Sequence, residues 1–339
     1  MVLAIVLLVV LFAIVVPGGN FLTRANFAQM AATVPAAMIV ALGLTITLSA
    51  GDFDLSIGPT LGLCTATLVA LNVKAGWPLG AALAAAAAVA LAIGSINGML
   101  VVTFGLNALI ATLATGTVLS GLTAAILHNE TVPGVAHQLQ SAMLSTVLGI
   151  PAPFVGAIAI AAVLWYVHEQ TPLGRDMTMA GEGREAARLT GVAVDGIRFG
   201  SFVAAALLSG VGGIVLVGQI GAADPATGPD YVLPAFAAAF LGATTIRVGR
   251  FNPWGTVVAI CLVKVGITGL QQLGLESWVV QVFQGGMLLL AIGFARLAAV
   301  AKTRAAAPWE PEVPAPGDPP GVAPPIVGGQ AVPNQRAEI

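Results

Sequence analysis

Residues 49–59 read SAGDFDLSIGP and stand between two apolar runs, 31–48 and 58–73. Asp52 and Asp54 are the only acidic residues between Ala25 and Leu127. Each run approaches the roughly 20 residues that carry a helix through a bilayer, and inside lipid every backbone amide must be satisfied within its own segment. The stretch therefore reads as a polar break between two membrane helices, Gly51, Asp52, Asp54, Ser56 and Gly58 being its characteristic residues.

The rest of the chain extends that reading. Of 339 residues, 58% are apolar and 8% charged, against roughly 25% charged in an ordinary soluble domain. Ten apolar stretches recur, at about 2–16, 31–48, 58–73, 79–102, 107–127, 151–167, 197–219, 231–246, 253–271 and 278–300. An all-α polytopic membrane protein with about ten transmembrane helices is the expected fold class. The first stretch has no basic lead and no small-residue cleavage site, so it reads as a retained span; its shortness implies a true start further upstream. Cys64 and Cys261 both lie in apolar runs and build no disulfide or metal framework. A net charge of −2 leaves no nucleic-acid footprint.

Basic residues set the orientation. Arg175, Arg184, Arg188 and Arg198 crowd the sixth link, Arg247 and Arg250 the eighth, and Arg296, Lys302 and Arg304 follow the last span. With ten spans these fall on one side, which the positive-inside bias makes cytoplasmic together with both termini. Residues 1–304 then form the membrane domain. Residues 305–339, with nine prolines, read as a disordered cytoplasmic tail. A faint internal echo pairs Pro35 and Gly43 with Pro234 and Gly242, each followed by threonines and a polar segment, GDFDLSIG or RVGRFNPWG.

Chemistry is sparse. None of the three lysines follows a glycine, so no phosphate-cradling loop exists, and neither a zinc-protease helix motif nor a nucleophile elbow is present. No catalytic or metal-binding residue is assigned, and an enzyme is not expected. The hydrophilic link 171–198 holds GEGREAARLTG, predicting a short helix from Gly183 to Thr190 ended by Gly191 in a left-handed conformation. Arg184 and Arg188, four apart, share a face, and Ala186 and Ala187 permit close approach. Such a helix suits docking to another protein.

For Asp52 and Asp54 three roles stay open: an ion relay, acceptors for sugar hydroxyls, or a structural turn in which Asp54 caps the amides starting the third span. Asn97, Asn107, Thr112, Thr115, Gln219, Thr244 and Thr245 are polar intramembrane candidates for a solute pathway, suited to a neutral polyol. The same residue types also serve as interhelical glue.

Taken together, GDFDLSIGP, the 174–191 segment GRDMTMAGEGREAARLTG and the glycine-rich seventh span resemble the permease subunits of bacterial ATP-binding-cassette importers of the ribose/xylose type. The resemblance runs from Val2 to about Ala299. It implies the importer permease fold with a cytoplasmic coupling helix, in which Gly181, Arg184, Glu185, Ala186, Ala187, Arg188 and Gly191 meet the ATPase. It also implies a second, identical or different permease subunit, a cytoplasmic ATPase carrying ATP and Mg, a periplasmic sugar-binding protein, and an inner-membrane location. Two departures stand out: ATTIRVGRFNPWGT (243–256) replaces a glycine/serine-rich turn, and the chain begins at its first span. A secondary carrier driven by a proton or sodium gradient is the alternative.

Overall fold

The computed structural model describes residues 1–305, most of them helical. In chain order the helices are α1 (Val2–Val15), α2 (Arg24–Thr33), α3 (Pro35–Ser49), α4 (Ile57–Val69), α5 (Leu79–Gly98), α6 (Ala108–Leu127), α7 (His137–Leu144), α8 (Ala152–Gln170), α9 (Pro172–Glu182), α10 (Arg184–Leu189), α11 (Val194–Ile220), α12 (Val232–Gly242), α13 (Pro253–Gln272) and α14 (Ser277–Ala305). Among the described residues, seven helices are long and apolar enough to cross a membrane, and α2 with α3, bent by 45°, make an eighth if taken as one span. All ten apolar stretches fall on helices, but α1 and α12 have only 14 and 11 residues. At 1.5 Å per residue α12 is about 16 Å long, roughly half the hydrocarbon thickness. The non-helical segment ahead of α12 folds inward instead, its Gly228 backbone lying against Gly58 and Gly62 of α4. Those two glycines thus receive a loop. The tail lies, from residue 306 onward, outside the described residues.

Local chemistry explains the element ends. Pro35 opens α3 at the first helical position, which fixes the break after α2. Gln219 Nε2 donates to Ala32 O across this break, 2.5 Å away, so a carbonyl at the bend is satisfied from α11. Asn107 caps α6 through Leu109 N, and Asn252 caps α13 through Gly255 N. The long α11 is the hub, packing against α3, α4 and α5. Its approach to α5 requires Gly94, where a side chain would run into the Phe202 carbonyl.

The links sort into two ends. At one, the 50–56, 171–193 and 243–252 segments meet: Arg247 pairs with Glu169 at 2.9 Å and Arg250 with Glu182 at 3.0 Å. Phe53 and Phe251, from the two echoing polar segments, both pack on Phe240. At the other, Val132–Pro133 pairs with Ala222–Ala223 in a short antiparallel ladder, and Thr131 donates to Asp224.

Candidate functional site: a turn tied to a surface helix

The break after α3 is a helix-ending motif. Gly51 takes φ +80, its N–H bonds Leu48 O, and Asp52 N–H bonds Thr47 O, the paired bonds of a Schellman ending. This ending places Asp52 with its carboxylate facing α11. Arg198 meets it bidentately, Nε to Oδ2 at 2.7 Å and Nη2 to Oδ1 at 2.8 Å. Arg184 Nη2 adds a third bond to Oδ1 at 2.8 Å and a fourth to Gly51 O at 3.0 Å. Asp52 is 1% exposed and Arg198 7%. Two guanidiniums thus share one carboxylate, a fork geometry that favours arginine over lysine.

Backbone contact reinforces the tie. A side chain at Gly181, in the last turn of α9, would collide with Ser49 O and come within 3.2 Å of Gly51 N. Residues predicted separately as a turn (Gly51, Asp52) and as a docking segment (Gly181, Arg184) are therefore one assembly. Pairing with Arg198 was not anticipated, since 146 positions separate the partners and no local pattern links them.

Asp54 behaves differently from its expected role. Its Oδ1 accepts from Ser56 N at 2.9 Å and Ser56 Oγ at 2.6 Å, while α4 starts at Ile57 with no side-chain cap. Three residues ahead of the helix, Asp54 closes an Asx-type turn instead of capping the first amides. Ser56 Oγ in turn accepts from Asn97 Nδ2, and Thr112 Oγ1 accepts from Leu55 N. Gly58 contributes close packing to Gly228, as described above.

Burial pushes the Asp54 carboxyl up to about 6 from an ordinary 3.8, against the two Ser56 bonds that lower it. Because the folded value is raised, the protonated form is the stabilising one. Stability is highest below about pH 4 as regards this group, falls as pH rises to about 6, and stays reduced above. Asp54→Asn, which keeps an acceptor oxygen, is expected to melt higher than wild type at pH 7.5, by on the order of 2–3 kcal/mol. The gain should vanish near pH 4, and a pH-independent difference would contradict it.

The surface helix α10 is short and ordered by its ends. Gly191 sits at φ +84, with Gly191 N bonded to Arg188 O and Val192 N to Ala187 O, a second Schellman ending. Ala187 is buried against Ala180 and Val194. Glu185 and Ala186 face outward, and Leu189 is 90% exposed. Arg188 bonds Glu185 at 3.2 Å and Asp195 at 2.8 Å, and Asp195 raises its basicity further. The two alanines thus have opposite roles, one packing inward and one facing out. Leu189 was missed at the sequence level, although it lies four residues from Glu185, on the face opposite Ala187.

The remaining candidates are internally engaged. Asn97 and Thr112 hold the 55–56 turn, Gln219 holds the α2–α3 break, and Thr244 and Thr245 bond back to Leu241 O. Thr115 likewise bonds Ala111 O. Asn107 caps α6 while lining an open cleft of about 810 Å³ beside Asp52, Arg184 and Arg198. These residues do not converge on one cavity.

Comparison with known proteins places this geometry. Residues 26–292 match the family model described as branched-chain amino acid transport system / permease component. The chain is 30% identical over 300 residues to the ribose import permease protein of Bacillus subtilis, covering 86% of this chain and 90% of that one. It is 31% identical over 261 residues to an autoinducer 2 import system permease protein of Klebsiella pneumoniae, covering 75% and 78%. With the D-allose transport system permease protein of Escherichia coli it shares 28% over 280 residues, covering 82% and 85%.

Proposed function

The chain belongs to the branched-chain amino acid transport system / permease component family, and on that footing we propose that it is the membrane subunit of an ATP-driven importer of a monosaccharide or related polyol. As a permease it is a transport subunit and not an enzyme. Relatives named for ribose, D-allose and autoinducer 2 support a polyhydroxylated solute. In this reading ten segments cross the bacterial inner membrane, both termini are cytoplasmic, and a second permease subunit completes the pathway. ATP and Mg reside on a separate ATPase, and a periplasmic binding protein delivers the sugar.

One observation carries the coupling role: the outward face of α10 is open, while its first residue, Arg184, reaches back to Asp52 at the α3–α4 break. A push on Glu185, Ala186 and Leu189 from an ATPase is delivered through Gly181 and Arg184 to the ends of α3, α4 and α11. Polar residues such as Asn97, Thr112, Gln219, Thr244 and Thr245 then keep the helix breaks intact as the spans tilt between inward- and outward-open states.

Reconstitution tests this directly. Proteoliposomes holding the chain with its cognate ATPase and binding protein are expected to accumulate sugar only with ATP and Mg. Accumulation by the chain alone on a proton or sodium gradient would overturn the reading in favour of a secondary carrier.

A further inference from the structure

A cavity of about 310 Å³ lies where the α2–α3 break, the 221–231 segment and α13 meet. Lys264, Asp230, Tyr231, Thr227 and Thr33 supply its polar lining, set among apolar side chains such as Ile260 and Val263, and the Thr33 hydroxyl already donates to Gln29 O. Lys264 is the one lysine well inside a span, and an intramembrane cation needs a partner or a polar space. Among the described residues, the side chains of Lys264, Asp230, Tyr231 and Thr227 form no hydrogen bond or ion pair within the protein; Lys264, Tyr231 and Thr227 are half-buried and Asp230 is exposed, so all four polar groups are free to meet a ligand in the cavity. In the turn at Asp52, by contrast, both carboxylates and the Ser56 hydroxyl are hydrogen-bonded within the protein. A donor and an acceptor that face one cavity without meeting leave room for a ligand between them.

We propose that this cavity binds one neutral sugar ring, with Lys264 donating to and Asp230 accepting from its hydroxyls while Tyr231 covers a carbon face. The identity of the solute class rests on the importer reading above; the location of the site does not. A volume near 310 Å³ is at the small end of small-molecule sites, roughly 300–1,000 Å³, and suits a single ring. Opposite charges from two elements around the cavity each satisfy vicinal hydroxyls and leave no net charge for a neutral solute to oppose. The discontinuous helix beside the cavity supplies irregular backbone where a transport site needs it. A zwitterionic amino acid would match the same two charges, so it forms the competing outcome of the test.

Saturation-transfer NMR on the full chain in lipid nanodiscs, with millimolar D-ribose, D-allose and L-leucine as probes, reads binding without any ATPase. Wild type is expected to saturate the sugar protons and leave L-leucine silent. Lys264→Met and Asp230→Asn should each weaken sugar binding about tenfold or more, as expected for a lost charge-assisted hydrogen bond. Lys264→Met keeps the side-chain length and removes a charge from a span, so insertion is not hindered; Thr227→Val provides a milder variant with a smaller loss in the same direction. Sugar affinities unchanged in both charge variants, no sugar bound by wild type, or L-leucine as the ligand lost in the variants would each overturn the proposal. Sugar binding lost in the variants, alongside ATP-independent accumulation in proteoliposomes, would sink the importer reading and leave the site standing. ATP-driven sugar uptake with unaltered affinity in the variants would do the reverse.

Discussion

Asp52→Ala is expected to destabilise the protein by about 3–5 kcal/mol, the range found when one member of a buried ion pair is removed. The cost comes from what remains: Arg198 is 7% exposed, and both of its described carboxylate bonds end on Asp52. Arg184→Ala should cost about 1 kcal/mol or less, because that side chain is 41% exposed and Arg198 still neutralises Asp52. Asp52→Ala combined with Arg198→Met should recover much of the loss, since the stranded charge is gone. Denaturation of the purified chain and its variants in detergent micelles measures all three. Equal losses for the single and double variants would place the cost in the turn's backbone and not in the pair.

Gly191→Pro is expected to separate ATP hydrolysis from uptake while leaving insertion and assembly intact. Proline holds φ near −65° and has no N–H, whereas Gly191 sits at φ +84 and donates to Arg188 O. Its surroundings are open, with nothing near the position a side chain would take, so the core is undisturbed and only the ending of α10 is lost. A coupling free energy of typical size, about 1–3 kcal/mol, corresponds to about a 5- to 150-fold fall in uptake per ATP hydrolysed. The measurement is sugar accumulated against phosphate released in the same proteoliposomes. Unaltered stoichiometry would remove α10 from the coupling path. Gly191→Ala, strained but still able to donate its N–H, should fall between proline and wild type.

Much of this was legible in the chain before any coordinates. Apolar runs of bilayer length identify the class because lipid leaves the backbone no alternative to internal hydrogen bonding. The end of α10 was legible for an equally local reason: glycine after a short charged helix marks a left-handed ending. The α2–α3 break was not read from the chain, because Pro35 lies inside the apolar run 31–48 and hydropathy continues across it. The 14 and 11 residues of α1 and α12 were less legible, because hydropathy continues into irregular segments and cannot tell a helix from an inward-folded loop.

The site was legible by its parts and not by its joins. Sequence singled out Asp52, Gly181 and Arg184, and left Asp54 among three roles that included a helix cap; it closes a turn on Ser56 instead. It left Asn97, Thr112 and Gln219 as either pathway residues or interhelical glue, and Asn97 Nδ2, Thr112 Oγ1 and Gln219 Nε2 bond to the helix breaks. Lys264, inside an apolar run, lines a cavity with Asp230 and Tyr231. By itself, then, the sequence determined a polytopic helical membrane protein, its polar break at SAGDFDLSIGP and its surface helix, since each follows from composition or from bonds spanning a few residues. Only the tertiary structure decided that Asp52 answers to Arg198 and Arg184, and that Lys264 shares a cavity with Asp230. Periodicity shows which face of a helix is polar, but which distant face it meets depends on how all the helices pack at once.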